Sequence, residues 1–361
     1  MKRIYFHADV DGIVSAAIYL DAVKAQDKMQ YAMYPLFSSM RGGKFASLVD
    51  HTADNNDEVI ILDFTYHKKA SLWIDHHSNP MFRKSMSGKL WFDENASSAA
   101  SVVAKWAKSM RYDNPLVDSI TPNVDMIDAA KYPSIEYIFT NESPLMLIRA
   151  HLDTSFPSET MYCRIVEVLA LCHLDVDLAI KVLRIEKLGL QKLNDHVKEA
   201  KSHVIKFDNM TLLRQRFPYQ FARYVENMVV PGASYNVRIS KSLEKGLLYF
   251  QAGYNKWSGY KNPLNLGMFI GNHRLIIKGG GHFNVGSGMI KSENVEEMLD
   301  DFSSIIARED TVEKYGVDKE DKVEKKAEEL VKTAAAKDMP DAREKAVKQI
   351  EKEEKGDAQQ L

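Results

Sequence analysis

The chain has 361 residues, 45% of them hydrophobic, and a net charge near −2, enough for two packed domains and an additional tail. No apolar stretch reaches the roughly eighteen residues of a membrane span. The start, Met1-Lys2-Arg3, runs straight into a strand-like segment instead of a signal-peptide apolar region, which leads us to expect a cytoplasmic protein. The two cysteines, Cys163 and Cys172, fall in an apolar helical pattern, so free buried thiols are expected, not a disulfide or a metal pair.

In chain order, Lys2 to His7 reads as a strand and Gly12 to Ala25 as a helix with Ile13, Ala16, Ala17 and Leu20 on one face. Between them lies His7-Ala8-Asp9-Val10-Asp11-Gly12, an imidazole and two carboxylates at alternate positions. Carboxylates this close repel unless a cation lies between them, which points to a metal; taken alone, the segment also reads as a turn with capping Asp residues. Tyr31 to Leu36 reads as a strand and Gly42 to Val49 as a short helix. A second apolar run, Val59 to Leu62, ends in Asp63, and a third, Leu72 to Ile74, ends in Asp75-His76-His77. Leu90 to Phe92 adds a further strand, and Ser97 to Met110 a helix with Ser97 as its N-cap. Strands alternating with helices predict an α/β domain with a doubly wound parallel sheet. In such a sheet the carboxyl ends of the strands lie side by side and bind ligands, so three runs ending in Asp and His converge on one place.

These motifs resemble the DHH phosphoesterase superfamily, whose members include single-strand exonucleases, nanoRNA-degrading enzymes, cyclic-dinucleotide phosphodiesterases and family II pyrophosphatases. The resemblance rests on His7 to Gly12, the lone Asp63, Asp75-His76-His77, and Ser97-Ser98-Ala99-Ala100 opening a helix. It extends to Gly279-Gly280-Gly281-His282, which is similar to the GGGH signature of the family's associated C-terminal domain. The family places one more metal-binding Asp in a loop after a helix. Asp128 falls there, with Asp125 open as the alternative.

Beyond residue 140 the chain looks helical to His203: Ser143 to Leu152, Ser158 to Cys172, Asp175 to Leu188 and Gln191 to His203, resembling the family's interdomain connector. From Val204 short strands follow at Val204 to Phe207, Met210 to Gln215, Tyr235 to Ile239 and Gly246 to Tyr254. The expected division is therefore a catalytic metal-binding domain over 1–140, a helical connector over 141–203, a smaller α/β C-terminal domain over 204–308, and a Lys/Glu-rich tail over 309–361, helical or disordered. Residues 201–292 carry 13 Lys and Arg against 3 Asp and Glu, whereas 293–361 carry 13 against 21, so the C-terminal domain implies an anionic partner. It is rich in aromatic residues, among them Tyr219, Phe221, Tyr224, Tyr235, Tyr249 and Phe250. At least half of these rings are expected in its core, with Tyr254, Trp257 and Tyr260 partly exposed for base stacking. Three glycines at 279–281 read on their own as a tight turn, or as backbone N–H groups open to a phosphate.

The resemblance implies two Mn²⁺ ions, with Mg²⁺ or Co²⁺ as substitutes. His7 and Asp9 would hold one, Asp11, His76 and Asp128 the other, with Asp63 bridging both. It implies further that His77 and His282 donate to phosphoryl oxygens, Asp75 orients a ligand histidine, and Gly279, Gly280, Gly281 and Arg238 touch the substrate. That substrate would be a short oligonucleotide, single-stranded nucleic acid or small nucleotide, gripped by both domains. Pyrophosphate hydrolysis and non-catalytic nucleic-acid binding are the alternatives. The sequence does not set the oligomeric state.

Overall fold

A computed structural model of the chain describes residues 1–24, 30–37, 40, 43–77, 84–185, 187–207, 209–214, 221–242, 244–260 and 263–307, with backbone alone at 84–87, 207, 282 and 307. The expected tail and Tyr219 lie outside these residues. The chain divides into two compact units, residues 1–195 and 196–361.

The first unit opens with β1 (Lys2–His7), α1 (Val10–Lys24), β2 (Tyr31–Leu36), α2 (Gly43–Thr52), β3 (Glu58–Leu62), β4 (Ala70–Asp75), β5 (Lys84–Ser87) and β6 (Leu90–Asp93). The sheet order is β2-β1-β3-β4-β6-β5, and all neighbours are parallel except the edge hairpin β5–β6. Four of the five residues of β3, Val59 to Leu62, are buried, as expected of a strand covered on both faces. The chain leaves β1 for β2 on one side and returns to β3 on the other. That reversal opens a crevice at the carboxyl ends of β1 and β3.

Every residue of α1 from Val10 to Ala22 is buried, so this helix is a core element, with no solvent stripe over that span. It is covered by α3 (Ala99–Ser109), α4 (Pro115–Asp128) and α7 (Glu159–Leu171). Its first turn lies tight against the end of β1: a Cβ on Gly12 would sit 2.1 Å from the His7 carbonyl oxygen. On the opposite face Phe45 and Val49 of α2 pack with Tyr5, Phe64, Trp73 and Phe92. Between α4 and α7 come α5 (Ile135–Thr140) and α6 (Pro144–Thr154). They are followed by α8 (Val176–Leu183) and α9 (Leu188–Ala200), which straddles the boundary between the units. The helices that look like a connector in sequence thus pack largely on the first unit, with α7 against α1 and β2.

The second unit holds β7 (Val204–Phe207), β8 (Met210–Arg214), α10 (Val225–Val229), β9 (Tyr235–Lys241), β10 (Leu247–Tyr254), α11 (Leu266–Asn272), β11 (Ile276–His282), β12 (Val285–Lys291) and α12 (Val295–Ala307). Its sheet runs β11-β12-β10-β9-β8-β7, antiparallel except for β8–β9. Val295, Met298, Leu299 and Phe302 of α12 are buried at helical spacing, in one core with Val237, Phe250 and Ile290. The glycine run is part of β11, not a tight turn. Glycine is needed there for packing: a Cβ on Gly279 would lie 2.9 Å from the Ile270 side chain of α11, and one on Gly286 of β12 would lie 2.5 Å from the Leu266 carbonyl. No described helix is long and apolar enough to cross a membrane.

Candidate metal centre

The carboxyl ends of β1, β3 and β4 bring His7, Asp9, Asp63, Asp75, His76 and His77 together, and two helix ends complete the group. Asp11, in the first turn of α1, is buried and reaches across to the N-terminus of α3. Its two oxygens accept from Ala99 N at 2.7 Å and Ala100 N at 2.8 Å. Amide groups with no partner inside their own helix thereby fix a carboxylate at the positive end of the α3 dipole. Ser98, not Ser97, is the N-cap of α3, its hydroxyl accepting from Ser101 N. The Ser-Ser-Ala-Ala segment thus serves to aim Asp11.

Asp128 is the last residue of α4, not part of a loop, and its carboxylate lies 3.3 Å from His76 Nε2. Asp125, one turn earlier, accepts from Ser98 and Ser101 hydroxyls and braces α4 on α3 instead. Of the two, Asp128 is the one that reaches the cluster.

Asp63 is the hub. Its backbone takes the left-handed conformation, φ 56°, which Asp tolerates better than most residues. Asp63 N donates to the Ile74 carbonyl at 2.9 Å, tying the turn to β4. Its side chain is buried, and neither carboxylate oxygen has a hydrogen-bond partner among the described residues. Around it stand His7 Nδ1 at 3.5 Å, His77 Nδ1 at 3.5 Å and His76 Nε2 at 3.8 Å.

The histidines are held from behind. His76 Nδ1 lies 3.1 Å from the Ala96 carbonyl, an acceptor only, so Nδ1 donates there and Nε2 is turned to Asp11, Asp63 and Asp128. This arrangement is common behind metal-bound imidazoles. Asp75 Oδ1 accepts from His76 N at 2.8 Å, His77 N at 3.2 Å and His77 Nδ1 at 2.9 Å, fixing both the turn and the second ring. Asp9 accepts from Gly12 N at 3.0 Å and lies 2.7 Å from His7 Nδ1.

Three sets of side chains offer ligand atoms within 4.8 Å of one another: His7, Asp9 and Asp63; Asp11, His76 and Asp128; and Asp63, His76 and His77. Asp63 and His76 each belong to two sets. The electrostatics fit a cation. Burial, then the charges of Asp63, Asp128 and Asp9, drive the Asp11 carboxyl well above its usual range. Burial and Asp9 raise Asp63. Burial with Asp63 and Asp9 lifts Asp128 to about 7. Burial opposes charge on His7, yet Asp9 and Asp63 outweigh it and push the imidazolium up to about 11. Four carboxylates so placed repel one another, and a divalent ion relieves the repulsion.

In the second unit, Gly279, Gly280 and Gly281 are strand residues at the sheet edge, and the His282 side chain lies outside the described residues. Arg238 is tied down: its guanidinium makes two bonds to buried Glu226 and donates to the Phe221 carbonyl at 3.0 Å and the Ala222 carbonyl at 2.7 Å. Glu226 carries no local sequence signal for this role. Tyr254, Trp257 and Tyr260 are half-buried, with Tyr254 and Tyr260 packed against the core.

No curated protein matches the chain by sequence. In fold it is similar to the pGpG-specific phosphodiesterase PggH from Vibrio cholerae, with 17% identity, TM-score 0.59, and coverage of 84% of this chain and 98% of that one. A DHH domain described as belonging to a family of ribosomal proteins aligns at 15% identity and TM-score 0.48, over 84% of this chain and 86% of that one. RecJ from Thermus thermophilus, solved with Mn²⁺, aligns at 11% identity and TM-score 0.46, over 85% of this chain and 52% of that one. Residues 3–139 match the model of the DHH family, N-terminal domain. That span contains every residue of the three ligand sets, so the whole candidate metal centre falls within the part of the chain that matches the DHH family.

Proposed function

We propose that the protein is a metal-dependent phosphoesterase that hydrolyses phosphodiester bonds in short oligonucleotides, single-stranded nucleic acid or small nucleotides. The observation that carries this reading is Asp63: a buried carboxylate with both oxygens unbonded, shared by two sets of potential ligands. A structural Asp is normally hydrogen-bonded when buried. One left open among three imidazoles is suited to bridging cations. The oxygen-rich sets with imidazole suit Mn²⁺, with Mg²⁺ or Co²⁺ as substitutes. His7 and Asp9 would hold one ion, Asp11, His76 and Asp128 the second, and Asp63 both. The ions would supply an activated water and polarise the phosphoryl group.

The protein's own groups do the rest. Asp75 fixes the His77 ring, and His77 donates to a phosphoryl oxygen as charge develops. The α3 amides aim Asp11 and favour its charged form against burial and the neighbouring carboxylates. Glycine backbone of β11 and His282 offer further donors to the anionic substrate. With Arg238 anchored on Glu226, we assign it to supporting the sheet. The fold of a pGpG-specific phosphodiesterase over most of both chains supports a nucleotide as substrate.

The test is elemental analysis after Mn²⁺ loading, joined to assays on a panel of short oligonucleotides, pGpG, cyclic dinucleotides and pyrophosphate. The expected result is about two ions per chain and turnover of nucleotide diesters. A protein that retains no metal, or cleaves pyrophosphate alone, would overturn the reading.

A further inference from the structure

Among the described residues, the ring most open to solvent in the second unit's sheet is Tyr249, not one of the loop aromatics. Tyr235 and Phe250 belong to the core, whereas Tyr249 is 40% exposed. Alternation along β10 sends Phe250 and Ala252 inward and Tyr249 and Gln251 to the opposite face. On that face Tyr249 stands between Met289 of β12 and Ser240 of β9, and Gln251 between Ser287 and Arg238. The next strand out, β11, continues the rows with Lys278 beside Met289 and Gly280 beside Ser287. Helix α11 packs on the other face, where Gly279, Gly286 and Gly288 admit it. Gly280 differs from these three, since a Cβ there would meet nothing within 4 Å.

The charge of this face selects its occupant. None of the outward positions of β9 to β12 is acidic, and the carboxylate laid against them, Glu226, is buried in its pair with Arg238. Lys278 is exposed. A flat ring flanked by methionine and short polar side chains, with a lysine one strand away and no carboxylate facing outward, matches a stacking platform for bases on a phosphate backbone.

We propose that the outward face of β9 to β12 binds single-stranded oligonucleotide, with Tyr249 stacking on a base, Lys278 meeting a phosphate, and Gln251 and Ser287 offering hydrogen bonds. It rests on the nucleotide-substrate reading above and adds a substrate-length preference to it. Because Tyr249 sits apart from the metal ligands in sequence and unit, the face binds without metal.

The experiment uses the full chain in EDTA and fluorescence anisotropy with a fluorescein-labelled eight-residue oligothymidylate, alongside a labelled thymidine dinucleotide. Tyr249→Ala is expected to weaken the eight-mer roughly five- to 150-fold, the range for one stacked base, and the dinucleotide less. Tyr249→Phe keeps the ring and is expected to bind like the parent. Lys278→Gln is expected to reduce the log–log salt slope by about 0.7, the share of one phosphate on a single strand. Parent-like binding by Tyr249→Ala, equal losses in Tyr249→Phe and Tyr249→Ala, or no binding by the parent would each overturn the proposal. A change of oligomeric state in Tyr249→Ala with unchanged oligonucleotide binding would assign the face to a second copy instead. Failure of the catalytic reading is seen separately, as no turnover of bis(p-nitrophenyl) phosphate by the Mn²⁺-loaded parent.

Discussion

Asp63 is unfavourable to the fold wherever no cation neutralises it. It is buried, repelled by Asp9, and held at positive φ. Asp63→Asn keeps the shape, suits the left-handed backbone as Ala does not, and removes the charge. In EDTA this variant is expected to melt above the parent, by an amount worth about 1 kcal/mol, while losing Mn²⁺ binding and hydrolysis. Thermal melts with and without Mn²⁺ check both halves; a lower melting temperature in EDTA would show that the carboxylate is structural. Asp128 adds a pH dependence. Its carboxyl is raised to about 7, so the metal-free fold holds a proton that the unfolded chain gives up at an ordinary carboxylate value. Metal-free stability from this group is therefore full at low pH and declines as pH rises toward 7. Metal binding requires the carboxylate, so this group makes Mn²⁺ affinity rise with pH toward 7, and the proton that His7 must give up carries the rise further. Calorimetric titrations across pH 5.5–8.5 read the slope, and a flat profile would remove Asp128 from the ligands.

At the level of elements, the site depends on how closely α1 meets β1 and how α3 meets Asp11. A methyl group at position 12 would overlap the His7 carbonyl, so Gly12→Ala must push α1 off the strand end. The expected cost is about 2–3 kcal/mol, with metal affinity lost as well because His7 and Asp11 move apart. Ser98→Ala removes the α3 cap and a brace to Asp125. It is expected to cost about 1 kcal/mol and to weaken metal binding through Asp11, without touching an ion itself. Denaturant melts paired with Mn²⁺ titrations separate the two effects; a Ser98→Ala protein with normal stability and weak metal binding would contradict the capping argument.

Across the whole chain, each unit has its own hydrophobic core, one around Phe45, Trp73 and Phe92, the other around Phe250 and Phe302. All potential metal ligands among the described residues lie in the first. Calorimetry is therefore expected to resolve two transitions, of which Mn²⁺ raises one, by several degrees at saturating metal. Asp63→Asn should abolish that rise and leave the second transition in place. A single transition, or an equal metal shift in both, would show that the units unfold as one.

The sequence by itself determined the parallel α/β unit and most of the Asp and His cluster at its strand ends. Buried parallel strands read as short apolar runs, and their carboxyl ends necessarily lie together, so the pattern alone puts Asp63 and Asp75-His76-His77 beside His7. The edge strand β5 and the helix α4 were not separately legible, because β5 is four residues long and α4 carries Pro122 inside it. What the tertiary structure decided was direction. It turned Asp128 into the cluster and Asp125 onto two serines, since three residues of α4 set the two side chains about 4.5 Å apart along its axis. It spent Arg238 on Glu226, a partner twelve residues away that only the packing of α10 brings near. It sorted the aromatic rings by which side of a strand they occupy, burying Phe250 and exposing Tyr249. Strand alternation fixes that the two rings face opposite ways, but which face is covered depends on where α11 and α12 pack, a long-range outcome that no local pattern encodes.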